Sequence, residues 1–312
     1  MRVIGVVDYG GPEALRIFEV PEPHAGAGQV RIRVQAATVN PTDTAVRNGA
    51  RAEAQKEFAP PYVPGMEAAG LLDEIGEEVD TDLAIGDQVM AIVVPRGSHG
   101  AYAEQVVVPV ESVARIPSGA SLVEAATLPM NGLTARLALD LLALRPGQVL
   151  AVTGAAGAFG GYVVQVAKAE GLRVIADASQ ADTALVRTLG ADEVVARGVD
   201  VADRIRAIVP DGVDGLADGA LLNARVLPAV RDGGALAAVR TVSYDTERGI
   251  TIHPVWVREY AREHDKLDGL RRQVEDGVIT LRVAATFTPQ NAAEAHRVLE
   301  AGGTRGRLVI EF

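Results

Sequence analysis

The sequence predicts an α/β chain in which a β-rich first part is followed by a doubly wound parallel sheet. Up to about residue 115, short runs of alternating apolar and polar residues lie between Gly and Pro clusters, as in half-buried strands. After residue 121, strand and helix patterns alternate, which is typical of βαβ units. From residue 281 onward, the pattern returns to strands around one helix.

The β-rich part shows its clearest strand at residues 30–34 (VRIRV), just after a Gly-Ala-Gly break in the chain. Residues 47–61 are polar, charged and then Pro-rich, which predicts an irregular loop. Further strands are predicted at 70–75, 88–94 and 102–108.

The middle of the chain begins with an Ala- and Leu-rich helix predicted at 122–144 and closed by a Pro-Gly pair. The alternation that follows predicts a parallel sheet covered by helices on both faces. Strands are predicted at 148–153, 173–177, 193–195, 213–218, 235–240, 281–287 and 307–312, and helices at 160–169, 181–189, 201–209, 220–230, 258–275 and 291–301.

Composition narrows the possible functions. The 312 residues are enough for two domains with separate cores. A net charge of −11 argues against binding to a phosphate backbone, so no nucleic-acid partner is expected. The chain has no cysteine, which excludes disulfides and Cys-type zinc sites. The start of the chain does not resemble a signal peptide and no run of about 18 apolar residues occurs, so we expect a cytoplasmic protein without a membrane span.

A glycine-rich loop at residues 153–160 lies between a predicted strand and a predicted helix. Gly154, Gly157 and Gly160 would allow a tight turn, close approach of a pyrophosphate and close packing of helix on strand. The amides at the start of the helix and the helix dipole favour phosphate there. The motif alone is weak, and a turn that serves only packing is the alternative. Its strand–loop–helix context predicts a nicotinamide dinucleotide site.

The end of the second strand of this unit bears on the choice between NAD and NADP. An acidic side chain there binds the ribose hydroxyls and repels a 2′-phosphate. If Ala178 points at the ribose, Asp177 points to the other face, and Ser179 is free to bind a 2′-phosphate. A shift of one residue would aim Asp177 at the ribose and favour NAD, and the sequence leaves this register open.

Several further segments of the chain match a known family in the same order. They are 36–49 (AATVNPTDTAVRNG), 60–76 (PPYVPGMEAAGLLDEIG), 85–89, 100–109, 125–135, 187–195 and 292–310, together with the glycine loop. With these segments the chain resembles the zinc-independent medium-chain dehydrogenase/reductases of the quinone oxidoreductase (zeta-crystallin-like) group. The resemblance implies a GroES-like β-rich catalytic domain and an inserted Rossmann domain, with the active cleft between them. On this basis residues 1–120 and 279–312 form the catalytic domain, and residues 121–278 bind the dinucleotide.

The resemblance also implies which side chains act on the substrate. Asn40, Asp43 and Thr127 are the candidate catalytic residues, with Asn131 also in the cleft. Turn chemistry for Asn40 and a helix cap for Asp43 or Thr127 are the alternatives. Asn40 and Met66 stand where zinc-dependent relatives carry Cys and His ligands. Asp43 and Glu67 would make a poor zinc site, so no metal is expected.

The cofactor predicted is NADP(H), with NAD(H) as the alternative. Arg197 follows the third strand of the unit and would pair with a 2′-phosphate, although a solvated surface role is equally open. Thr183 stands where NADP-using relatives often carry Lys. The predicted cofactor-binding residues are Asn40, Thr127, Gly154, Ala156, Gly157, Ala158, Phe159, Gly160, Ala178, Ser179, Arg197, Val239 and Arg240.

Three functions remain in competition. The first is NADPH-dependent hydride transfer to a quinone or an α,β-unsaturated carbonyl, with the proton from solvent or a bound water. The second is a zinc-free alcohol dehydrogenase, and the third is a non-catalytic protein that binds the dinucleotide. Many relatives have Tyr where this chain has Ala45, which implies a larger or more apolar pocket for a small apolar carbonyl or quinone. The family is commonly dimeric, so we expect a homodimer paired near residues 235–252.

Overall fold

The computed structural model describes residues 1–239 and 248–312. The strands in this part of the chain are β1 Arg2–Gly5, β2 Arg16–Glu19, β3 Gln29–Thr38, β4 Glu67–Ile75, β5 Gln88–Ile92, β6 Gln105–Pro109, β7 Val113–Arg115, β8 Val149–Thr153, β9 Arg173–Ala178, β10 Glu193–Ala196, β11 Val213–Asp218, β12 Val230–Ala238, β13 Thr251–Pro254, β14 Val283–Phe287 and β15 Arg307–Glu311. The α-helices are α1 Pro41–Arg47, α2 Ala52–Gln55, α3 Leu122–Ala125, α4 Pro129–Leu142, α5 Ala158–Ala169, α6 Thr183–Thr188, α7 Val201–Ile208, α8 His264–Glu275 and α9 Ala292–Ala301.

These elements form two compact units. Unit 1 comprises Met1–Met130, Ala261–Glu275 and Leu281–Phe312, and unit 2 comprises Asn131–Tyr260 and Asp276–Thr280. The domain boundaries expected from the sequence, after residues 120 and 278, stay predictions.

Unit 1 is built on a mainly antiparallel sheet. Its strands follow the order β14-β15-β3-β4-β5-β7, and β6 pairs with β3. The alternation of β3 gives the sheet an apolar inner face, because Val30, Ile32 and Val34 are buried while Arg33 is exposed. Ile4, Leu72, Val106 and Ile310 pack into the same core. The last strand of the chain therefore joins a sheet begun by the first part.

Within the described residues, unit 2 contains a parallel sheet of six strands with the order β10-β9-β8-β11-β12-β13. Counted from β8, this is the 3-2-1-4-5-6 order of a Rossmann fold. Strands β8, β9 and β11 are almost fully buried, as expected for a sheet covered on both faces. The prediction of a doubly wound parallel sheet is confirmed.

Several predicted elements have different boundaries. The single helix predicted at 122–144 is two helices, because Pro129 begins α4 after a break from α3. The helix predicted at 220–230 is a 3-10 segment, Asn223–Ala229, with Pro228 inside it, and β12 already begins at Val230. Proline lacks the N–H that an α-helix needs there. The helix predicted at 258–275 is a 3-10 turn, Val257–Tyr260, followed by α8. The loop predicted at 47–61 contains the end of α1 and the short helix α2.

None of the helices in the described ranges 1–239 and 248–312 has the length and apolar character needed to cross a bilayer.

Candidate functional site

The glycine loop of unit 2 joins β8 to α5 and has little space to spare. Gly154 has φ +68°, a left-handed conformation that favours glycine. A Cβ on Gly160 would lie 2.4 Å from the Gly154 carbonyl oxygen, so the helix packs directly on the loop. Gly157 is the N-cap of α5, and Ala158 and Phe159 open its first turn. Residues 156–159 are partly exposed, so the start of the helix is accessible to a ligand.

The Asp177 side chain, near the end of β9, contacts the glycine loop. Its Oδ1 accepts hydrogen bonds from the amide nitrogens of Gly154 at 2.7 Å and Ala155 at 3.3 Å. Burial raises the pKa of this carboxyl, and the two amides oppose that shift. The sequence offered the opposite face or the ribose for Asp177 and missed this contact. Asp177 holds the first turn of the loop in place.

A second carboxylate braces the loop from β11. Asp218 is fully buried and accepts hydrogen bonds from the Thr153 hydroxyl at 2.6 Å and the Asn223 amide at 2.7 Å. The Thr153 hydroxyl in turn accepts from the Ala220 amide at 3.3 Å. These bonds join the ends of β8 and β11, the edge at which ligands of such sheets bind.

The end of β9 brings together the residues predicted to choose between the cofactors. Ala178 is buried, and its carbonyl oxygen accepts from the Arg197 amide at 2.9 Å. The Arg197 residue is exposed, and its charge lowers the pKa of Asp177, acting against burial. The Ser179 hydroxyl donates to a carboxylate oxygen of Asp182, a partner that the sequence did not suggest.

Val239, another predicted cofactor residue, is half-buried just past β12, and Arg240 lies outside the described residues.

Unit 1 contains a buried polar cluster around Asn40. The two amide hydrogens of Asn40 point to Glu67 Oε1 at 3.1 Å and Thr38 Oγ1 at 3.2 Å. Its carbonyl oxygen accepts from the Arg307 guanidinium. Glu67 also accepts from Thr38 and, through Oε2, from the Met130 amide at 2.7 Å. Asn40, Glu67 and Thr38 are fully buried and Arg307 nearly so, and each charge has an opposite partner.

Asp43 is the other predicted catalytic residue of this region. It lies in the first turn of α1, and its two oxygens accept from the amides of Asn40 at 2.7 Å and Gly65 at 2.9 Å. Burial raises the pKa of Asp43 to about 7, although these amides and Arg307 favour the ionised form. Asp43 thus steadies the helix start and connects it to the segment before Met66.

Thr127, the third predicted catalytic residue, is buried, and its hydroxyl donates to the Glu124 carbonyl oxygen at 2.7 Å. Asn131 begins the second unit as the third residue of α4. The structure thus brings Asn40 and Asp43 together, and separately gathers the glycine loop with Ala178, Ser179 and Arg197. The roles of all these residues stay predictions.

The sequence missed Arg307 and Thr38, and it missed the contact of Asp177 with the glycine loop. It considered Glu67 only as a zinc ligand. The signal available for Glu67 was a lone carboxylate next to Met66 at the start of an apolar strand, since a buried charge needs a partner. No local signal pointed to Arg307, which is 267 positions away from Asn40.

Comparison with known proteins agrees with this geometry. Residues 26–118 match the family model described as the alcohol dehydrogenase GroES-like domain, and residues 189–310 match the model described as zinc-binding dehydrogenase. A solved structure of an NAD-dependent alcohol dehydrogenase has 30% identity and a TM-score of 0.86, with all of both chains covered. The chain belongs to the medium-chain dehydrogenase/reductase family, with quinone oxidoreductases among its relatives.

Two curated relatives illustrate the range of this family. Quinone oxidoreductase from Mus musculus is 28% identical over 99% of this chain and 97% of its own. Synaptic vesicle membrane protein VAT-1 homolog-like from Homo sapiens is 33% identical over 69% of this chain. The match spans only 49% of the length of that relative. The GroES-like and Rossmann assignments made from the sequence are confirmed, and the chain is similar to quinone oxidoreductases over nearly its whole length.

Proposed function

We propose that this protein is an NADPH-dependent, zinc-independent reductase of quinones or α,β-unsaturated carbonyls. The observation that carries the proposal is the glycine loop of unit 2. At Gly160 a Cβ would meet backbone, and Asp177 and Asp218 hold the adjoining turn, so the loop is preformed for a pyrophosphate. A dinucleotide bound there would supply the hydride.

The preference for NADPH rests on the residues at the end of β9. Arg197 is exposed next to Ala178, and a guanidinium binds a phosphate through two parallel hydrogen bonds. The Ser179 hydroxyl is paired with Asp182, so it must rotate to serve a 2′-phosphate, and the Asp182 carboxylate opposes that phosphate. The proposal therefore assigns the larger share of the preference to Arg197.

The absence of a zinc requirement rests on how the carboxylates of unit 1 are used. Both oxygens of Asp43 and both oxygens of Glu67 already accept hydrogen bonds within the protein. Met66, which stands in a position where zinc-dependent relatives carry His, is buried. Among residues 1–239 and 248–312, no three His, Asp or Glu side chains are grouped to hold a metal ion. This donor set does not fit zinc, and we assign no step to a metal.

The chain's own residues would then position and polarise the substrate. Asn40 is held in one orientation by Glu67, Thr38 and Arg307, so the direction of its amide dipole is fixed. To donate a hydrogen bond to a substrate carbonyl, Asn40 must give up one of its internal acceptors. The proton that accompanies the hydride comes from solvent, as expected for an acceptor that becomes an enolate or a hydroquinone anion.

The direct test measures the oxidation of NADPH and NADH with a panel of quinones and enones, before and after chelation of metals. We expect turnover that prefers NADPH and survives chelation. Binding of NADPH without turnover of any acceptor would instead support the non-catalytic alternative. Loss of activity on chelation, with recovery on added zinc, would contradict zinc independence.

An alcohol dehydrogenase is the second candidate, because a solved NAD-dependent alcohol dehydrogenase is 30% identical to this chain. Oxidation of secondary alcohols with NAD, faster than quinone reduction, would favour it.

We also propose a homodimer, paired through the sheet of unit 2. β13 is the last strand in that sheet among the described residues, and an edge strand has backbone groups available for pairing. Part of the predicted interface, residues 240–247, lies outside the described residues. Light scattering should give twice the chain mass of 32.6 kDa. A mass equal to one chain at micromolar concentration would contradict this proposal, and the cytoplasmic location stays a prediction from the sequence.

A further inference from the structure

Four buried side chains of unit 1 are connected in series next to Asn40, and one turn of α1 joins the first and the last of them into a ring. Asp43 and Arg47 lie one turn apart on α1, His296 lies on α9, and Tyr102 lies in the segment before β6. Arg47 Nη1 is 3.2 Å from His296 Nδ1, and His296 Nε2 is 3.1 Å from the Tyr102 hydroxyl. The Tyr102 hydroxyl in turn interacts with the Asp43 carboxylate. Asp43, Tyr102 and His296 are fully buried and Arg47 is 3% exposed.

The chemistry of Arg47 fixes the direction of every hydrogen bond in this ring. A guanidinium only donates, so Nδ1 of His296 must be the unprotonated, accepting nitrogen. Nε2 then carries the proton and donates to the Tyr102 oxygen. The Tyr102 hydroxyl is left to donate to Asp43, which accepts it best as a carboxylate. Burial and the charge of Arg47 lower the pKa of His296 to about 3, in agreement with a neutral ring.

Arg47 links these side chains to a second residue of α9. Its Nη2 donates to the carboxylate of Glu300, an exposed residue, at 2.6 Å. The four buried side chains therefore connect α1, α9 and the segment before β6, and we describe them as a brace.

The brace holds the backbone of the candidate site. The Asp43 carboxylate accepts hydrogen bonds from the backbone amides of Asn40 and Gly65. The aromatic ring of Tyr102 packs on Gly65, so that a Cβ added to Gly65 would lie 2.7 Å from Tyr102 Cδ1. The Tyr102 amide also donates to the Pro64 carbonyl oxygen at 3.1 Å. A shift of Tyr102 or Asp43 would therefore move both Asn40 and the start of β4, where Glu67 lies.

We propose that His296 is a positioning residue of the hydride-transfer site, acting through Tyr102 and Asp43 on the placement of Asn40. The expected effect on the rate of hydride transfer rests on the proposed function. The claim that His296 positions Tyr102 and Asp43 rests on the ring alone. His296 touches neither substrate nor cofactor in this account. A displacement of about 1 Å in a reacting group can lower a rate by about a hundredfold, so the effect belongs to kcat.

The kinetic test compares H296Q and H296L in the full chain. Gln keeps an oxygen to accept from Arg47 and an amide to donate to Tyr102, whereas Leu keeps the bulk but neither polar group. We expect H296L to lower kcat about tenfold or more with little change in the KM for cofactor, and H296Q to restore most of kcat. The matched control is R297Q on the exposed face of α9, where Arg297 contacts Glu294 alone among the bonds described. It should leave kcat unchanged.

The pH profile separates positioning from loss of stability. The groups that face the Asp43 carboxylate are Arg307, Glu67 and the Tyr102 hydroxyl. The charged group that faces His296 is Arg47, which is itself paired with Glu300. Y102F removes one donor to the carboxylate, which raises the pKa of Asp43 further. If the ionised Asp43 holds the site, the acid limb of kcat/KM should move to higher pH in Y102F and in H296L. An equal kcat and an unshifted limb in folded H296L and Y102F would overturn the proposal.

An NMR measurement makes the test independent of turnover. The ¹⁵N shifts of His296 in the unmodified protein at pH 7 should show a protonated Nε2 and an unprotonated Nδ1. The opposite tautomer, or an imidazolium, would refute the brace even if the protein proves to be a reductase. Should the protein turn over no quinone or enone while the tautomer is as expected, the proposed function fails and the brace stands. Should H296L not fold, Y102F and the tautomer decide the matter.

Discussion

Replacing Gly160 by Ala tests whether the glycine loop is the cofactor site. The new Cβ would lie 2.4 Å from the Gly154 carbonyl oxygen and 2.8 Å from the Ala155 Cα, where an ordinary contact is at least 3.4 Å. The helix and the loop must therefore separate by about 1 Å, and overpacking of this kind costs about 1–3 kcal/mol. Loss of a single charged hydrogen bond to the pyrophosphate would add about 1.5–3 kcal/mol to the free energy of cofactor binding.

The assay is a fluorescence titration with NADPH, together with unfolding in urea. We expect G160A to raise the Kd for NADPH about ten- to a hundredfold and to lower the unfolding free energy by about 1–3 kcal/mol. The matched control is G269A, at a glycine within α8 where a Cβ would meet nothing within 4 Å. G269A should leave the Kd unchanged and stabilise the protein by about 0.5–1 kcal/mol. If G160A binds NADPH as tightly as the unmodified protein, the loop is not the cofactor site.

Three further predictions concern single side chains. R197A should raise the Kd for NADPH about tenfold and leave that for NADH nearly unchanged, whereas equal effects on both would remove Arg197 from 2′-phosphate binding. Burial raises the pKa of Asp43 from 3.8 to about 7, so the folded state binds that proton more tightly, and the stability of the unmodified protein relative to D43N should fall as pH rises from 4 to 7. His296 has the opposite sign, because its pKa is lowered from 6.5 to about 3. The stability of the unmodified protein relative to H296Q should therefore fall as the pH drops from 6.5 toward 3. Urea unfolding at about pH 4.5 and about pH 7.5 measures both differences.

The fold of unit 2 could be predicted from the sequence because its signals are local. Short, mostly apolar runs such as β8, separated by helices, predict the parallel sheet without knowledge of any distant contact. The errors arose where one residue overrides a pattern. Pro129 breaks an Ala- and Leu-rich run into two helices, and Pro228 turns an expected α-helix into a 3-10 segment.

The buried cluster of unit 1 could not be predicted in the same way. Asn40 meets Arg307 across 267 positions, and His296 meets Tyr102 across 194. No spacing or periodicity links such pairs, because they meet only when β15 and α9 pack on the sheet of unit 1. The resemblance named Asn40 and Asp43, but the fold alone reveals that their polar groups are already bonded within the protein.

The contact made by Asp177 shows a limit of reasoning by alternation along a strand. Alternation tells which face of β9 a side chain leaves, but not how far the neighbouring loop bends toward it. The left-handed turn at Gly154 brings two loop amides to the Asp177 carboxylate, at 2.7 and 3.3 Å. Asp177 therefore makes a contact with the glycine loop that neither of the two predicted registers included.

Isotope labelling of NADPH directly tests the proposed transfer of hydride from the cofactor to an enone. The protein is incubated with NADPH carrying deuterium at C4, in each of its two stereoisomers, and with an α,β-unsaturated ketone. We expect one deuterium on the β-carbon of the product from one stereoisomer only, and the same result after metals are removed. A product without deuterium from either stereoisomer, or no product at saturating NADPH with any enone or quinone, would contradict it.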